Sequence, residues 1–205
     1  MSRQSVFLVA DTHWGHKRIL EYCNRPFPSI EAHDEALIRN WNAKVRKDSE
    51  VFHLGDFMFG SWRQVGGLLQ RLNFKTITFI TGDHDRALKD WFYKNSGGES
   101  VDISTTFDSK RVFLFEEYAS TQICGYEITL CHYSMRTWKK KHYGALHAHG
   151  HGHHSAPDDP NSLSIDVGVD GFNYAPISFE EYIEILKRKP VWEELASKRR
   201  RVPDE

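Results

Sequence analysis

The sequence predicts an α/β protein whose single domain spans residues 1–190, and three observations lead to this class. Apolar segments at residues 6–10, 51–54 and 76–80 have the length and composition of buried strands. Helical patterns lie between them, with apolar residues at positions 37, 41 and 45 and again at 65, 68, 69 and 72. This alternation predicts a largely parallel sheet, in which sites form beyond the carboxyl ends of the strands.

The second half of the chain is richer in strands and indicates a second sheet. Extended segments are predicted at residues 112–115, 127–131, 146–149 and 163–169, and a loop at residues 155–162. Ser178 and Glu181 have the spacing of a capping box, which predicts a helix that begins there and ends before Pro190. Residues 191–205 are predicted to form a flexible basic tail.

Composition restricts the function only in general terms. The formal net charge of -1 gives no overall attraction to nucleic acid or membranes. Three irregularly placed cysteines do not indicate a disulfide framework and favour a reducing cytoplasm. No apolar run has the length of a membrane span or a signal peptide. The unusual feature is the count of 12 histidines, because histidine binds metals and titrates near neutral pH.

Acidic residues and histidines follow five of the predicted strands. Asp11 and His13 are two positions apart in an extended segment, where both side chains can lie on one face and bind one ion. One such pair is weak evidence for a metal site. Four further blocks follow in order: Gly55-Asp56, Gly82-Asp83-His84-Asp85, His132 and Ala148-His149-Gly150-His151. Polar groups are uncommon at buried strand ends unless they pair or bind a ligand, so the set predicts a metal centre.

This set resembles the pattern of the calcineurin-like metallophosphoesterases, which runs D-x-H, G-D, G-N-H-[DE], H and G-H-x-H. All blocks occur in order between residues 11 and 151, with Ala148 in place of a glycine and Asp83 in place of an asparagine. The segment Asn24-Arg25-Pro26-Phe27 adds a resemblance to small bacterial and phage-type members. The resemblance implies a four-layer αββα sandwich with two packed mixed β-sheets.

The resemblance also implies two divalent ions that share Asp56. The residues implied for the first ion are Asp11, His13, Asp56 and His151, and those for the second are Asp56, Asp83, His132 and His149. Nitrogen and oxygen ligands without thiolates favour Mn, Fe, Zn or Ni, and manganese is preferred. A hydroxide shared by the ions would attack phosphorus in line. His84 would protonate or stabilise the leaving oxygen, and Asp85 would orient its ring.

Position 83 is the main departure from the family pattern. Asp83 can bind a metal, but it cannot donate a hydrogen bond to a phosphate as an asparagine amide does, and it adds negative charge. It is either the natural residue of a working enzyme or an introduced replacement that weakens the enzyme.

Four further residues are candidates for substrate binding, namely Asn24, Arg25, His16 and Arg136. Arg25 can clamp a phosphate through its planar guanidinium, although a surface arginine before a proline turn is an alternative. The histidines at 147, 153 and 154 are predicted to face solvent or to support the ligands, and Tyr133 to form wall or core.

The predicted reaction is hydrolysis of a phosphoester, preferably a diester such as a small or cyclic nucleotide. This preference comes from the resemblance and from the lack of a large added substrate domain. A phosphomonoesterase and a nuclease are alternatives within the family, and a non-catalytic metal-binding scaffold weakened by Asp83 is an alternative of another class. The sequence shows no basic stripe with interleaved aromatic residues, so tracking along nucleic acid is not predicted. The oligomeric state stays open.

Overall fold

The computed structural model describes residues 5–95, 105–107, 110–115 and 117–199, whose strands form two mixed sheets. In chain order the strands are β1 (Val6–Val9), β2 (Glu50–His53), β3 (Thr76–Ile80), β4 (Thr105–Phe107), β5 (Lys110–Phe115), β6 (Tyr118–Ile123), β7 (Tyr126–Cys131), β8 (Leu146–His149), β9 (Ser164–Asp166) and β10 (Ile177–Ser178). The order of the first sheet is β10-β1-β2-β3-β5-β4, and that of the second is β6-β7-β8-β9.

The α-helices lie mainly between the strands of the first sheet and at the end of the chain. They are α1 (Ile19–Tyr22), α2 (Ile30–Lys44), α3 (Trp62–Arg71), α4 (Arg86–Asn95), α5 (Phe179–Lys187) and α6 (Val191–Arg199). Two short 3-10 helices span Lys141–Tyr143 and Val169–Gly171. Over the residues that the structure describes, no helix has the length and apolarity needed to cross a membrane.

The centre of the first sheet is parallel, as the alternation of strands and helices predicts. β1, β2, β3 and β5 run parallel, and β10 and β4 pair antiparallel at the edges. Every residue of β1 and β3 is buried, which is typical of parallel strands that are covered on both faces. The carboxyl ends of β1, β2 and β3 therefore meet at one edge of the sheet.

Two apolar cores lie on the two faces of the first sheet. One face, which includes Phe7 and Val9, packs against α2, α3 and α4. The other face, which includes Val6 and Leu8, packs against the second sheet and against α5 and α6. The predicted α/β class with two mixed sheets is confirmed. The outer face of the second sheet carries His147, on whose ring Trp138 stacks.

Local signals were accurate at several boundaries. β3 and β8 have the predicted bounds, and Ser178 and Glu181 form the capping box that begins α5. The tail prediction is wrong for residues 191–199, which form α6, because Trp192 and Leu195 are buried in the core between the sheets. Residues 200–205 lie outside the described residues.

Candidate metal centre

The residues that follow β1 and β2 turn into one buried cluster. Asp11, His13 and Asp56 are all buried, and all have left-handed backbone conformations with φ of 57°, 51° and 56°. Residues other than glycine rarely adopt this conformation, which costs about 1–3 kcal/mol and often clusters at active sites. The surrounding fold, and not local preference, therefore holds these three residues in place.

The Asp56 carboxylate lies in the middle of the cluster. Its Oδ2 is 3.4 Å from Nε2 of His13 and 3.6 Å from Nε2 of His132. Its Oδ1 accepts a hydrogen bond of 2.9 Å from the backbone N–H of His84. Within the described residues, both Nε2 atoms are buried and have no hydrogen-bond partner. Buried polar atoms are rarely left unpaired, so two of them beside one carboxylate indicate a ligand position.

His132 is held in the tautomer that a metal ligand needs. Its Nδ1 is 2.8 Å from the carbonyl oxygen of Leu54, and because a carbonyl can only accept, Nδ1 must carry the proton. In the neutral ring, Nε2 then has a free lone pair. Gly55 permits this approach, since a Cβ at that position would lie 2.5 Å from Nδ1 of His132.

Among the described residues, four groups of side chains have ligand atoms within 4.8 Å of one another. One is Cys23, His153 and Asp170, and the other three overlap at the centre: Asp11, His13 and His153; Asp11, Asp56 and His132; and Asp83, His132 and His151. Such oxygen and imidazole nitrogen atoms are ligands for divalent transition metals. The structure thus brings together six of the seven predicted ligands and adds His153.

The seventh predicted ligand, His149, lies elsewhere. It is the last residue of β8, and its ring packs against that of His147, two positions earlier on the same face, with centroids 5.3 Å apart. Its Nδ1 is 3.1 Å from the carbonyl oxygen of Gly150, and the ring lines a cleft beside Asp166. This geometry corrects the ligand set by replacing His149 with His153.

The chain returns to the centre directly after β8. Gly150 packs so closely that a Cβ there would lie 2.7 Å from Oδ2 of Asp11. His151 and His153 then adopt left-handed conformations, and the His151 N–H donates to the Asp11 carboxylate at 3.0 Å. The sequence contains a signal for this register, because Gly150-His151-Gly152-His153 also fits G-H-x-H and includes the glycine.

His153 is supported by an ion pair that no local sequence pattern predicts. Its Nδ1 is 2.8 Å from Oδ2 of Asp170, and the Cys23 thiol forms a second hydrogen bond with the ring. Arg25 holds the same carboxylate through Nε at 2.8 Å and Nη2 at 2.7 Å, and it also donates to the carbonyls of Asp11 and Thr12. Arg25 is 3% exposed, so its predicted role as a substrate clamp is corrected to an internal support.

Asp85 also has an internal role. Its buried carboxylate accepts hydrogen bonds from the backbone N–H groups of Asp56, Phe57 and Gly82. These bonds tie the segment after β2 to the segment after β3. The expectation that Asp85 orients the ring of His84 is corrected accordingly.

His84 lines a cleft of about 1010 Å³ that opens on the cluster. Its exposed ring lies 5.6 Å from that of His13 and 4.9 Å from that of Phe59, measured between centroids. The candidates His16 and Asn24 line the same cleft, together with Lys17 and Arg18.

A second cleft of about 660 Å³ adjoins the first, since both have His151 and Gly152 among their lining residues. The candidate Arg136 lines this second cleft, together with Lys141. The four substrate candidates therefore separate into two that line the first cleft, one that lines the second and one, Arg25, that is internal.

Asp83 is the exposed carboxylate of the three groups. Its Oδ1 accepts a hydrogen bond of 2.5 Å from the hydroxyl of Tyr133, and its Oδ2 lies 3.6 Å from Nδ1 of His151. The hydrogen bond lowers the pKa of Asp83 and raises the pKa of Tyr133 to about 12. Asp83 is therefore a carboxylate at neutral pH, available to bind a cation.

Burial dominates the electrostatics of the interior of the centre. It raises the pKa of Asp11 well above its usual value and lowers the pKa of His13, which keeps this imidazole neutral, as a metal ligand must be. Burial also lowers the pKa of His153, but hydrogen bonds with Asp170 and Cys23 outweigh it and raise the pKa to about 10. His153 is therefore protonated at neutral pH in the metal-free protein and must release that proton to bind a metal. Buried carboxylates beside neutral imidazoles favour a bound cation.

Comparisons with known proteins show similarity without a stated function. No protein-family model matches the chain. The uncharacterized protein MJ1445 of Methanocaldococcus jannaschii is 29% identical over 198 residues, which cover 93% of this chain and 96% of that protein. The gene 66 protein of Mycobacterium phage L5 is 34% identical over 85 residues, 40% of each chain.

A solved structure has a similar fold. The crystal structure of the protein of unknown function AQ665 from Aquifex aeolicus matches with a TM-score of 0.62 and 17% identity, covering 89% of this chain and 100% of that one. At this identity the similarity supports the fold alone.

Proposed function

We propose that this chain is a dinuclear-metal-dependent phosphoester hydrolase with a metallophosphatase-like fold. The observation that carries the proposal is the Asp56 carboxylate, which lies between two buried imidazole nitrogens that have no hydrogen-bond partner among the described residues. The first ion would be held by Asp11, His13, Asp56 and His153. The second ion would be held by Asp56, Asp83, His132 and His151.

The donor atoms fit a transition metal. The set contains carboxylate oxygens and imidazole nitrogens without a thiolate, which favours Mn, Fe, Zn or Ni, and we propose Mn. Bound divalent ions would supply Lewis-acid activation of water and stabilisation of negative charge on the phosphoryl oxygens.

His84 would act as the acid that serves the leaving oxygen. Its backbone N–H is fixed on Asp56 and its ring lies in the cleft, so the residue joins the central carboxylate to the space that a substrate would enter. Asp85 keeps this segment in place through its three backbone hydrogen bonds. The acid is thus oriented by its loop.

The shape around the centre favours a phosphodiester over a monoester. A diester carries two substituents on phosphorus, and two clefts share His151 and Gly152 as lining residues. Lys17 and Arg18 line one cleft, and Arg136 lines the other, so both can attract an anionic substrate such as a nucleotide.

The proposal is tested by metal analysis combined with hydrolysis. Protein loaded with Mn²⁺ should contain two ions per chain and should hydrolyse bis(p-nitrophenyl) phosphate faster than p-nitrophenyl phosphate. Two bound ions with no hydrolysis of either ester would favour the non-catalytic scaffold. No bound metal would contradict the proposed centre.

Two histidines of the same segment provide a matched pair of variants. We expect His153→Ala to lose one ion and to lower turnover about 100-fold, because it removes a ligand, whereas His149→Ala should retain both ions and most of the activity. Metal content and initial rates measure both effects. The reverse ranking would support the register in which His149 is the ligand.

A further inference from the structure

We infer that Tyr133 is a positioning residue that orients the Asp83 carboxylate for binding one metal ion. This inference rests on the proposed function. Tyr133 contacts every member of the group formed by Asp83, His132 and His151. Its hydroxyl donates to Oδ1 of Asp83, and its ring centroid lies 5.1 Å from that of His132 and 5.0 Å from that of His151.

Asp83 needs such support more than the other two carboxylates of the centre. Asp11 and Asp56 are buried, and each accepts a hydrogen bond from a backbone N–H. The side chain of Asp83 is 48% exposed, and its hydrogen bond comes from the Tyr133 hydroxyl. An exposed side chain must lose rotamer freedom when it binds an ion, and a partner that restricts it beforehand reduces that loss.

The hydrogen bond selects which oxygen is left for the ion. With Oδ1 engaged by Tyr133, Oδ2 lies 3.6 Å from Nδ1 of His151, on the side of the imidazoles. A hydrogen bond to a charged oxygen is about twice as strong as one between neutral groups. Tyr133 is itself placed by the fold, because it follows His132 directly after β7.

The test is a titration of the metal-free protein with Mn²⁺ by calorimetry. Tyr133→Phe should raise the dissociation constant of one of the two ions about 10-fold or more, as removal of an outer partner of a metal ligand does, and leave the other ion unaffected. The thermal unfolding midpoint of the metal-free protein should not change, because Tyr133 is 43% exposed. Tyr143→Phe is a matched control, since Tyr143 is 46% exposed and should leave both constants unchanged.

A double variant separates orientation of Asp83 from packing on the imidazoles. In an Asp83→Asn background Tyr133 donates to a neutral oxygen, so the same Tyr133→Phe change should weaken binding by less than about threefold. An equal loss of affinity in both backgrounds would overturn the inference.

The outcomes distinguish this inference from the proposed function. If the unaltered protein binds two ions and hydrolyses diesters while Tyr133→Phe binds both ions equally well, the inference fails and the function stands. If Tyr133→Phe weakens one ion but the unaltered protein hydrolyses no ester, the inference stands and the function fails. Absence of metal binding by the unaltered protein would overturn both.

Discussion

Three side chains of the centre have one polar atom engaged by a neighbour outside the proposed ligand set. Nδ1 of His132 donates to the carbonyl of Leu54, and Nδ1 of His153 pairs with Asp170. Oδ1 of Asp83 accepts from Tyr133. Such outer contacts set the tautomer or rotamer of a ligand before an ion arrives. Roles at this scale therefore depend on the neighbour as much as on the residue type.

Substitution of Asp83 should change affinity and turnover in opposite directions. Asp83→Asn removes a negative charge beside the incoming phosphate and adds an amide donor, so turnover of phosphodiesters at saturating Mn²⁺ should rise. The same change should weaken binding of one ion, because a carboxylate attracts a cation more strongly than an amide. Rates and titrations with Mn²⁺ test both effects. An equal or lower rate in the metal-replete assay would show that the carboxylate of Asp83 belongs to the active enzyme and does not weaken it.

At the scale of elements, the centre is held by short segments that follow strands. Arg25, which lies after α1, connects the segment after β1 to the 3-10 helix Val169–Gly171. It contacts Asp170 of that helix and the carbonyls of Asp11 and Thr12, which precede His13. One guanidinium thus fixes two elements that carry or support ligands.

Loss of this connection should destabilise the fold strongly. Arg25→Met removes one of the two charge partners of Asp170, whose side chain is 10% exposed, and we expect a loss of about 3–5 kcal/mol in the free energy of unfolding. Urea denaturation measures the loss. Arg46→Met is the control, because the Arg46 and Asp48 side chains are 62% and 60% exposed and their pair should contribute little to stability. Similar losses in both variants would contradict the structural role of Arg25.

At the scale of the whole molecule, the centre lies where the two sheets meet. Asp11, His13 and Asp56 follow strands of the first sheet, whereas His132 follows β7 of the second and His151 and His153 follow β8. Backbone bonds between Ala10 and the segment after β9 join the sheets at the same place. An ion bound here would link both sheets, so metal binding should raise the stability of the entire domain.

The stability of the metal-free protein should depend on pH through His153. Its folded-state pKa of about 10 lies above the usual 6.5, so its contribution to stability is complete below pH 6.5 and is lost as the pH rises through about 10. Urea unfolding in chelator, compared with His153→Gln, isolates this contribution. The advantage of the unaltered protein should shrink from pH 6.5 to 10, and an advantage that grows with pH would contradict the assignment.

Many strands, one helix start and several residues of the centre were predictable from sequence, because these features depend on residues close together in the chain. Apolar runs, the Ser178 capping box and the positions of Asp11, Asp56 and His132 after strands are local patterns. Parallel strands end at a common edge, so residues after them converge without knowledge of the packing. Helix α6 was not predicted because its segment is rich in basic residues. Trp192 and Leu195 anchor this helix only through the core between the two sheets.

Local sequence specifies which strand ends carry Asp and His, whereas long-range packing selects which of those side chains meet. His149 and His153 are the same residue type in the same segment. β8 holds His149 on the outer side of the second sheet, whereas residues with left-handed backbone conformations bring His153 back to the centre. Arg25 contacts Asp170, 145 residues later. Contacts over such separations depend on how the whole chain packs, and no local pattern specifies them.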